Sequence, residues 1–254
     1  MDIVFYTALG VGGATAVGAI FGFLFKNPSH KFNDIVLSFA AGIMLAAAVV
    51  GLVIPSLEYG EGLGGILVTV LGIFAGAVAL NLIDKLVPHL HKMTGADSEQ
   101  HPERNEKLNR VLLFVIAIAI HNLPEGIAAG VSFGIEDNVV EALVIAGGIA
   151  LQNIPEGMVI IAPMIAAGMS RKKTFAIALA TGGIEIVGTL FGYFAASISA
   201  AILPFALAFA GGTMLYVISD EMIPETHSHG SERAATYSLL IGFCVMLAFD
   251  FLLG

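Results

Sequence analysis

Two hexapeptides carry the chemistry of this chain: HNLPEG at residues 121–126 and QNIPEG at residues 152–157, 31 positions apart. His121 and Glu125 are four residues apart and so share a helix face, with Asn122 three before Glu125. Gln152, Asn153 and Glu156 repeat that arrangement. A neutral imidazole, carboxylates and amide oxygens form a nitrogen/oxygen donor set suited to zinc, iron(II), manganese and similar divalent ions. No thiolate belongs to the set, which argues against a copper(I)-selective site. Each hexapeptide also holds a proline. Pro124 has no N–H for the carbonyl of Ile120, nor Pro155 for that of Leu151, so each is expected to kink its helix and free a backbone oxygen beside the polar side chains.

The elements that must position these residues are membrane helices. The chain has 254 residues, of which 57% are hydrophobic and 12% charged. Its mean hydropathy is +0.90. A soluble domain carries about 25% charged residues. The composition therefore predicts an all-α integral membrane protein, a single transmembrane domain over residues 1–254. Apolar runs of about 20 residues read as spans. Eight are expected, at about 3–25, 33–56, 63–87, 108–132, 138–166, 174–197, 201–223 and 235–253, the fifth bent at Pro155 or Pro163. The first is read as a retained helix, because no basic stretch precedes it. The spacings Gly18/Gly22, Gly72/Gly76, Gly126/Gly130 and Gly188/Gly192 predict close helix crossings. Net charge of −9 argues against nucleic-acid binding, and the single Cys244 excludes an internal disulfide.

Both hexapeptides thus fall at membrane depth, where an acidic residue costs roughly 2.5–3.5 kcal/mol and marks an ion, substrate or proton path. Glu185, in the sixth span, is a third such carboxylate. No Lys or Arg lies near the middle of any expected span, so the three must be protonated, hydrated or neutralised by a bound cation. His121 beside them points to a metal.

All eleven Lys and Arg fall on one side of the bilayer if the count is eight, while Glu58, Glu61, Glu136, Asp137 and Glu141 mark the other. Basic loops stay cytoplasmic. Both termini are then outside, and the loop of about 88–107, with His89, His91 and His101, is cytoplasmic, a solvated segment or a weak metal collector. An internal repeat relates Ala41–Glu58 to Gly211–His227, aligning Met44 with Met214 and Pro55 with Pro224. The two segments run in opposite directions, as in inverted-repeat transporters.

HNLPEG followed by QNIPEG resembles the signature of the ZIP (Zrt/Irt-like protein) family of divalent-metal transporters, and the likeness covers essentially the whole chain. The resemblance implies a binuclear metal centre midway through the membrane, import into the cytoplasm and a homodimer. By motif position it implies His121, Asn122 and Glu125 as ligands on the fourth helix and Gln152, Asn153 and Glu156 on the fifth, with Glu185 matched by its place in the sixth. Many members carry His where Gln152 stands, which favours a broader range of metals. Zinc is expected first, with iron, manganese and cadmium beside it, as transported ions and not as a catalytic cofactor. The expected mechanism is alternating access, and the expected location is the inner membrane.

Several residues keep two readings. Met44 is a soft ligand or a core filler. Asp220, Glu221 and Glu225, with His227 and His229 beyond, are an exit site or a solvated helix end, and Ser56 and Glu58 are candidate attractors at the entrance. The rival functions are an exporter using the same ligands and an intramembrane metal-dependent hydrolase. The latter would need a catalytic signature such as HExxH, and none is present.

Overall fold

A computed structural model describes residues 1–25, 28–60, 62–86, 103–133, 139–198 and 200–253. Those residues are helical with no strand. The long helices are α1 (Asp2–Gly22), α2 (His30–Tyr59), α3 (Gly62–Leu86), α4 (Glu103–Ser132), α5 (Val139–Ala166), α6 (Arg171–Ser197), α7 (Leu203–Thr226) and α8 (Glu232–Leu253). Among the described residues, seven helices are long and apolar enough to cross a membrane, all of these except α4. Helix α4 is 30 residues long and opens with the polar run ERNEKLNR. The chain is a multi-pass integral membrane protein. Most of the expected loop of about 88–107 lies outside the described residues; its last residues, 103–107, already belong to α4.

Local sequence explains the helix ends. Ser29 and Ser170 cap α2 and α6, their hydroxyls accepting from the amides of Phe32 at 3.2 Å and Lys173 at 3.4 Å. Helix α5 runs through Pro155 unbroken and is interrupted at Ile160 instead. Pro163 accounts for the place: its ring crowds the carbonyl of Val159, four residues back. Helices α2 and α7 each contain one π-helical segment, Val49–Val53 and Ile218–Met222. An Ile-Pro pair comes directly after each of them, Ile54-Pro55 and Ile223-Pro224. A proline in an ordinary α-turn crowds the carbonyl four residues back, and the wider turn relieves that crowding at Pro55 and Pro224. The wider turn also rotates the side chains it carries, which sets the aim of Glu221.

The packing is close because it is built on small residues. The main core joins α2, α5 and α7 through Ala40, Ile43, Ile145, Ile149, Leu207 and Met214. A smaller core joins α1, α5 and α6 around Ala19, Ile160 and Ala178. All four predicted glycine pairs lie at helix crossings, against backbone of a neighbouring helix. Leu63, Leu67 and Phe74 on α3 and Ile241, Phe251 and Leu252 on α8 point outward, an apolar surface suited to lipid.

Candidate metal centre

Helices α1, α4, α5 and α6 meet around Glu185. Thr15 Oγ1 donates to Glu185 Oε1 at 2.8 Å, and Asn122 Nδ2 donates to the same oxygen at 2.6 Å. Asn153 Nδ2 donates to Oε2 at 2.5 Å and also to the carbonyl of Val11 at 3.1 Å. One amide from each hexapeptide therefore converges on one carboxylate. Glycines permit the approach. Gly126, next to Glu125, lies on the backbone carbonyl of Glu185, and Gly157, next to Glu156, lies on that of Thr15. A larger residue at either place would hold the helices apart.

Around this hub, among the described residues, most of the unpaired buried polar atoms are acceptors. Asn122 Oδ1, Asn153 Oδ1, both oxygens of Glu125 and both polar atoms of Gln152 have no hydrogen-bond partner. Glu125, Gln152, Asn153 and Glu185 are wholly buried, and Asn122 and Glu156 nearly so. Gln152 lies beside Glu125, and the three carboxylates are near enough to repel one another. A buried oxygen with no partner costs about 1–3 kcal/mol, and more when charged. Gathering so many in one place is relieved by protonation, by water or by a bound cation.

His121 lies near Glu156, and its Nε2 comes within 2.6 Å of Glu221 Oε2 on α7. The contact is close but not aligned as a hydrogen bond. Glu221, grouped by sequence with a possible exit site, is thus brought to the central cluster by the π-helical segment that contains it. Its neighbours are not: Asp220 and Glu225 are exposed. His227 holds its own loop, meeting the carbonyl of Ile223 at 2.9 Å and Thr236 Oγ1 at 3.1 Å. His229 pairs with buried Asp34 at 3.0 Å and stacks on His30, away from the centre.

Met44 is fully buried in the main core. Ser56, considered for the entrance, is buried, bonded to Thr69 at 2.8 Å and to the carbonyl of Pro204 at 2.7 Å. Glu58 is exposed. His89, His91 and His101 lie outside the described residues. Among the described residues, no three His, Cys, Asp or Glu side chains are arranged to enclose an ion as they stand. The donor set instead includes three amides, which such a grouping omits. Sequence reasoning missed Thr15, a hydroxyl in an apolar helix with no motif around it.

Comparison with known proteins points the same way. Residues 91–250 match the sequence pattern of a family described as ZIP Zinc transporter. The chain is 40% identical to the zinc transporter GufA of Myxococcus xanthus, over 96% of both chains. It is 38% identical to the zinc transporter ZIPB of Bordetella bronchiseptica, over 95% of this chain and 78% of that one. It is 30% identical to the human zinc transporter ZIP11, over 95% of this chain and 94% of its relative.

Proposed function

This chain belongs to the ZIP family of zinc transporters, and we propose that it carries divalent cations into the cytoplasm through a mid-membrane binuclear site by alternating access. That the chain is a divalent-metal transport protein and not an enzyme follows from the family, and the hydrolase reading falls with it. Direction, ligands and the range of ions are the proposal. Zinc is the first substrate, and iron(II), manganese and cadmium are further ones. The ligand set is His121, Asn122, Glu125, Gln152, Asn153 and Glu156, with Glu185 as the remaining acidic member. Met44, Asp220 and Glu221 stand outside the core of the set, and Glu221 is the one in contact with it through His121. The carrying observation is the cluster of buried oxygens on α4 and α5, most of them without a hydrogen-bond donor among the described residues, which a cation would satisfy.

The remaining architecture belongs to the same proposal: eight spans with α4 as the fourth, both termini outside, residues 88–107 cytoplasmic, and a homodimer in the inner membrane. An inverted repeat is supported by paired contacts. Gly18 of α1 lies on the carbonyl of Ile154 as Gly188 of α6 lies on that of Leu123, and Gly22 on Met158 as Gly192 on Ile127. Gly42 of α2 lies on Leu239 as Gly212 of α7 lies on Ile73. Each glycine on α6 or α7 is 170 positions after its counterpart, the separation of Thr15 and Glu185. The two π-helical segments with their Ile-Pro pairs recur at 169 positions, one residue short of that separation.

The test is uptake of zinc, iron(II), manganese and cadmium into proteoliposomes of defined orientation. Glu125→Ala and Glu156→Ala are each expected to abolish uptake in a folded protein, since each removes charge and coordination together. Wild-type flux in both variants overturns the ligand set. Flux only out of the cytoplasmic face assigns export.

A further inference from the structure

Arg171, Lys172 and Lys173 are the one place in the chain where basic residues stand side by side. They open α6 directly after its cap Ser170, with no acidic residue in the first turn. Cations at the start of a helix oppose its dipole, so the helix itself gains nothing from them. The bias of basic residues toward one face of a membrane explains their side, and not the posture of the first. Arg171 reaches across to α1: its Cζ lies 5.5 Å from the centre of the Phe23 ring. It makes no ion pair among the described residues. A guanidinium over an aromatic ring keeps N–H groups free at its edge, and those groups match a phosphate.

Arg171 also lines an apolar groove of about 280 Å³. Gly22, Phe23 and Phe25, at and just past the end of α1, form one wall. Ile161, Ala162 and Ile165 form the other, on the short segment of α5 that follows its break at Ile160. A Cβ at Gly22 would meet Ile161, so the helices are in contact there and the groove lies beside that contact. Small-molecule sites run from roughly 300 to 1,000 Å³, so this one holds part of a chain and not a whole compact ligand. An apolar groove beside a free cation, on a bundle set in lipid, suits a molecule with an apolar tail and an anionic head. Charge selects among lipids. A zwitterionic head brings its own ammonium to the basic run and is repelled there, whereas phosphatidylglycerol brings the phosphate alone. We propose that this groove holds an acyl chain of an anionic phospholipid, whose phosphate sits on Arg171. Bound there, the lipid ties together α1, α5 and α6, three of the four helices that meet around Glu185. The proposal goes beyond metal transport and does not depend on the ligand set.

Native mass spectrometry of the full-length protein in neutral detergent tests this, with dihexanoyl-phosphatidylglycerol, dihexanoyl-phosphatidylcholine and inorganic phosphate as probes. The glycerol lipid should bind about fivefold or more tighter than the choline lipid, the weight of one basic residue near an anionic head. Arg171→Gln should cut that preference about fivefold. Ala162→Leu keeps every charge and fills the groove, and it should weaken both lipids. Arg233→Gln, the same change at the exposed start of α8, should leave the preference within about twofold. Equal binding of the two lipids by the wild type overturns the proposal, and that result stands even if a variant misfolds. An equal loss of preference in Arg233→Gln and Arg171→Gln overturns it too, since the attraction is then spread over the whole basic face. Wild-type binding of both lipids by Ala162→Leu removes the groove from the site and sinks the proposal. Inorganic phosphate that displaces the glycerol lipid at equal concentration assigns the cation to free phosphate and overturns it as well.

Discussion

The glycine at 188 offers a test of how finely the centre depends on helix spacing. Gly188 sits one turn after Glu185 on α6, facing α4, and a Cβ built there lies 2.7 Å from the carbonyl oxygen of Leu123 and 3.1 Å from Gly126 Cα. Ordinary contact starts at 3.4 Å, so Gly188→Ala must part the two backbones by about 0.7 Å. Overpacking of this kind costs about 1–3 kcal/mol. The displaced pair includes the bond from Asn122 to Glu185, now 2.6 Å, which would lengthen to about 3.3 Å. If half of the strain falls on the ion-bound state, zinc uptake at subsaturating zinc drops by about threefold to tenfold, at about 1.4 kcal/mol per decade. Gly183 supplies the control, because nothing lies within 4 Å of a Cβ there. Gly183→Ala is the same chemical change on the same helix, and helix propensity alone makes it neutral or stabilising by up to about 1 kcal/mol. Uptake and thermal unfolding of the two variants in matched proteoliposomes decide the matter. Equal behaviour of Gly188→Ala and Gly183→Ala would refute the claim that this crossing sets the geometry of the site.

Other outcomes are expected from the same structure. Zinc at a hundred times its dissociation constant should stabilise the folded protein by about 2.7 kcal/mol, read as resistance to thermal unfolding, and the gain should vanish in Glu125→Ala/Glu156→Ala. Survival of the gain would place the binding elsewhere. Gln152→His replaces an amide oxygen by an imidazole nitrogen and should shift relative binding from manganese and iron(II) toward zinc or cadmium; an unchanged ranking in a competition series would make Gln152 a bystander. In the proposed topology the basic loops are cytoplasmic, so a cysteine placed at Ser98 in a Cys244→Ala background should react with an impermeant thiol reagent only after permeabilisation. Rapid labelling of intact cells would overturn the eight-span topology.

The parts of this molecule that announce themselves in sequence are those written in local code. Pro124, Glu125 and Gly126 form one unit with His121 because helical periodicity aligns residues four apart, and Glu156 with Gln152 likewise. The glycine pairs were legible for the same reason: spacing of four is a helix face, and all four pairs do sit at crossings. The hidden parts depended on tertiary register. Thr15 reaches Glu185 across 170 residues, and a threonine in an apolar helix carries no signal of its partner. Glu221 was readable as a helix-end charge, but its contact with His121 needs the π-helical segment before Pro224, whose rotation no pattern of period 3.6 describes. The sequence left the bend in α5 to Pro155 or Pro163, and the break lies at Ile160, where Pro163 disturbs the turn, while the helix continues through Pro155.

The proposed repeat makes the two halves of the scaffold alike in shape, yet their chemistry is lopsided. His121 on α4 answers to Gln152 on α5, and Glu185 on α6 answers to Thr15 on α1. The π-helical segment of α7 carries Asp220 and Glu221, whereas that of α2, VVGLV, carries no charge. Glu125 and Glu156 match, but at these unlike positions the stronger donor is on α4, α6 or α7, and the related position on α5, α1 or α2 holds a neutral amide, a hydroxyl or nothing polar. A symmetric scaffold presents the ion to both faces of the membrane at equal cost. In the proposed repeat these substitutions are one source of a difference in how tightly the ion is held on its way in and on its way out. His121→Gln, which makes the two hexapeptides alike at their first position, removes one such difference and leaves the helix geometry untouched. It should bring the zinc affinities measured from the two faces of oriented proteoliposomes closer together. Affinities that stay as far apart as in the wild type would locate the polarity in Glu185 and Glu221 alone.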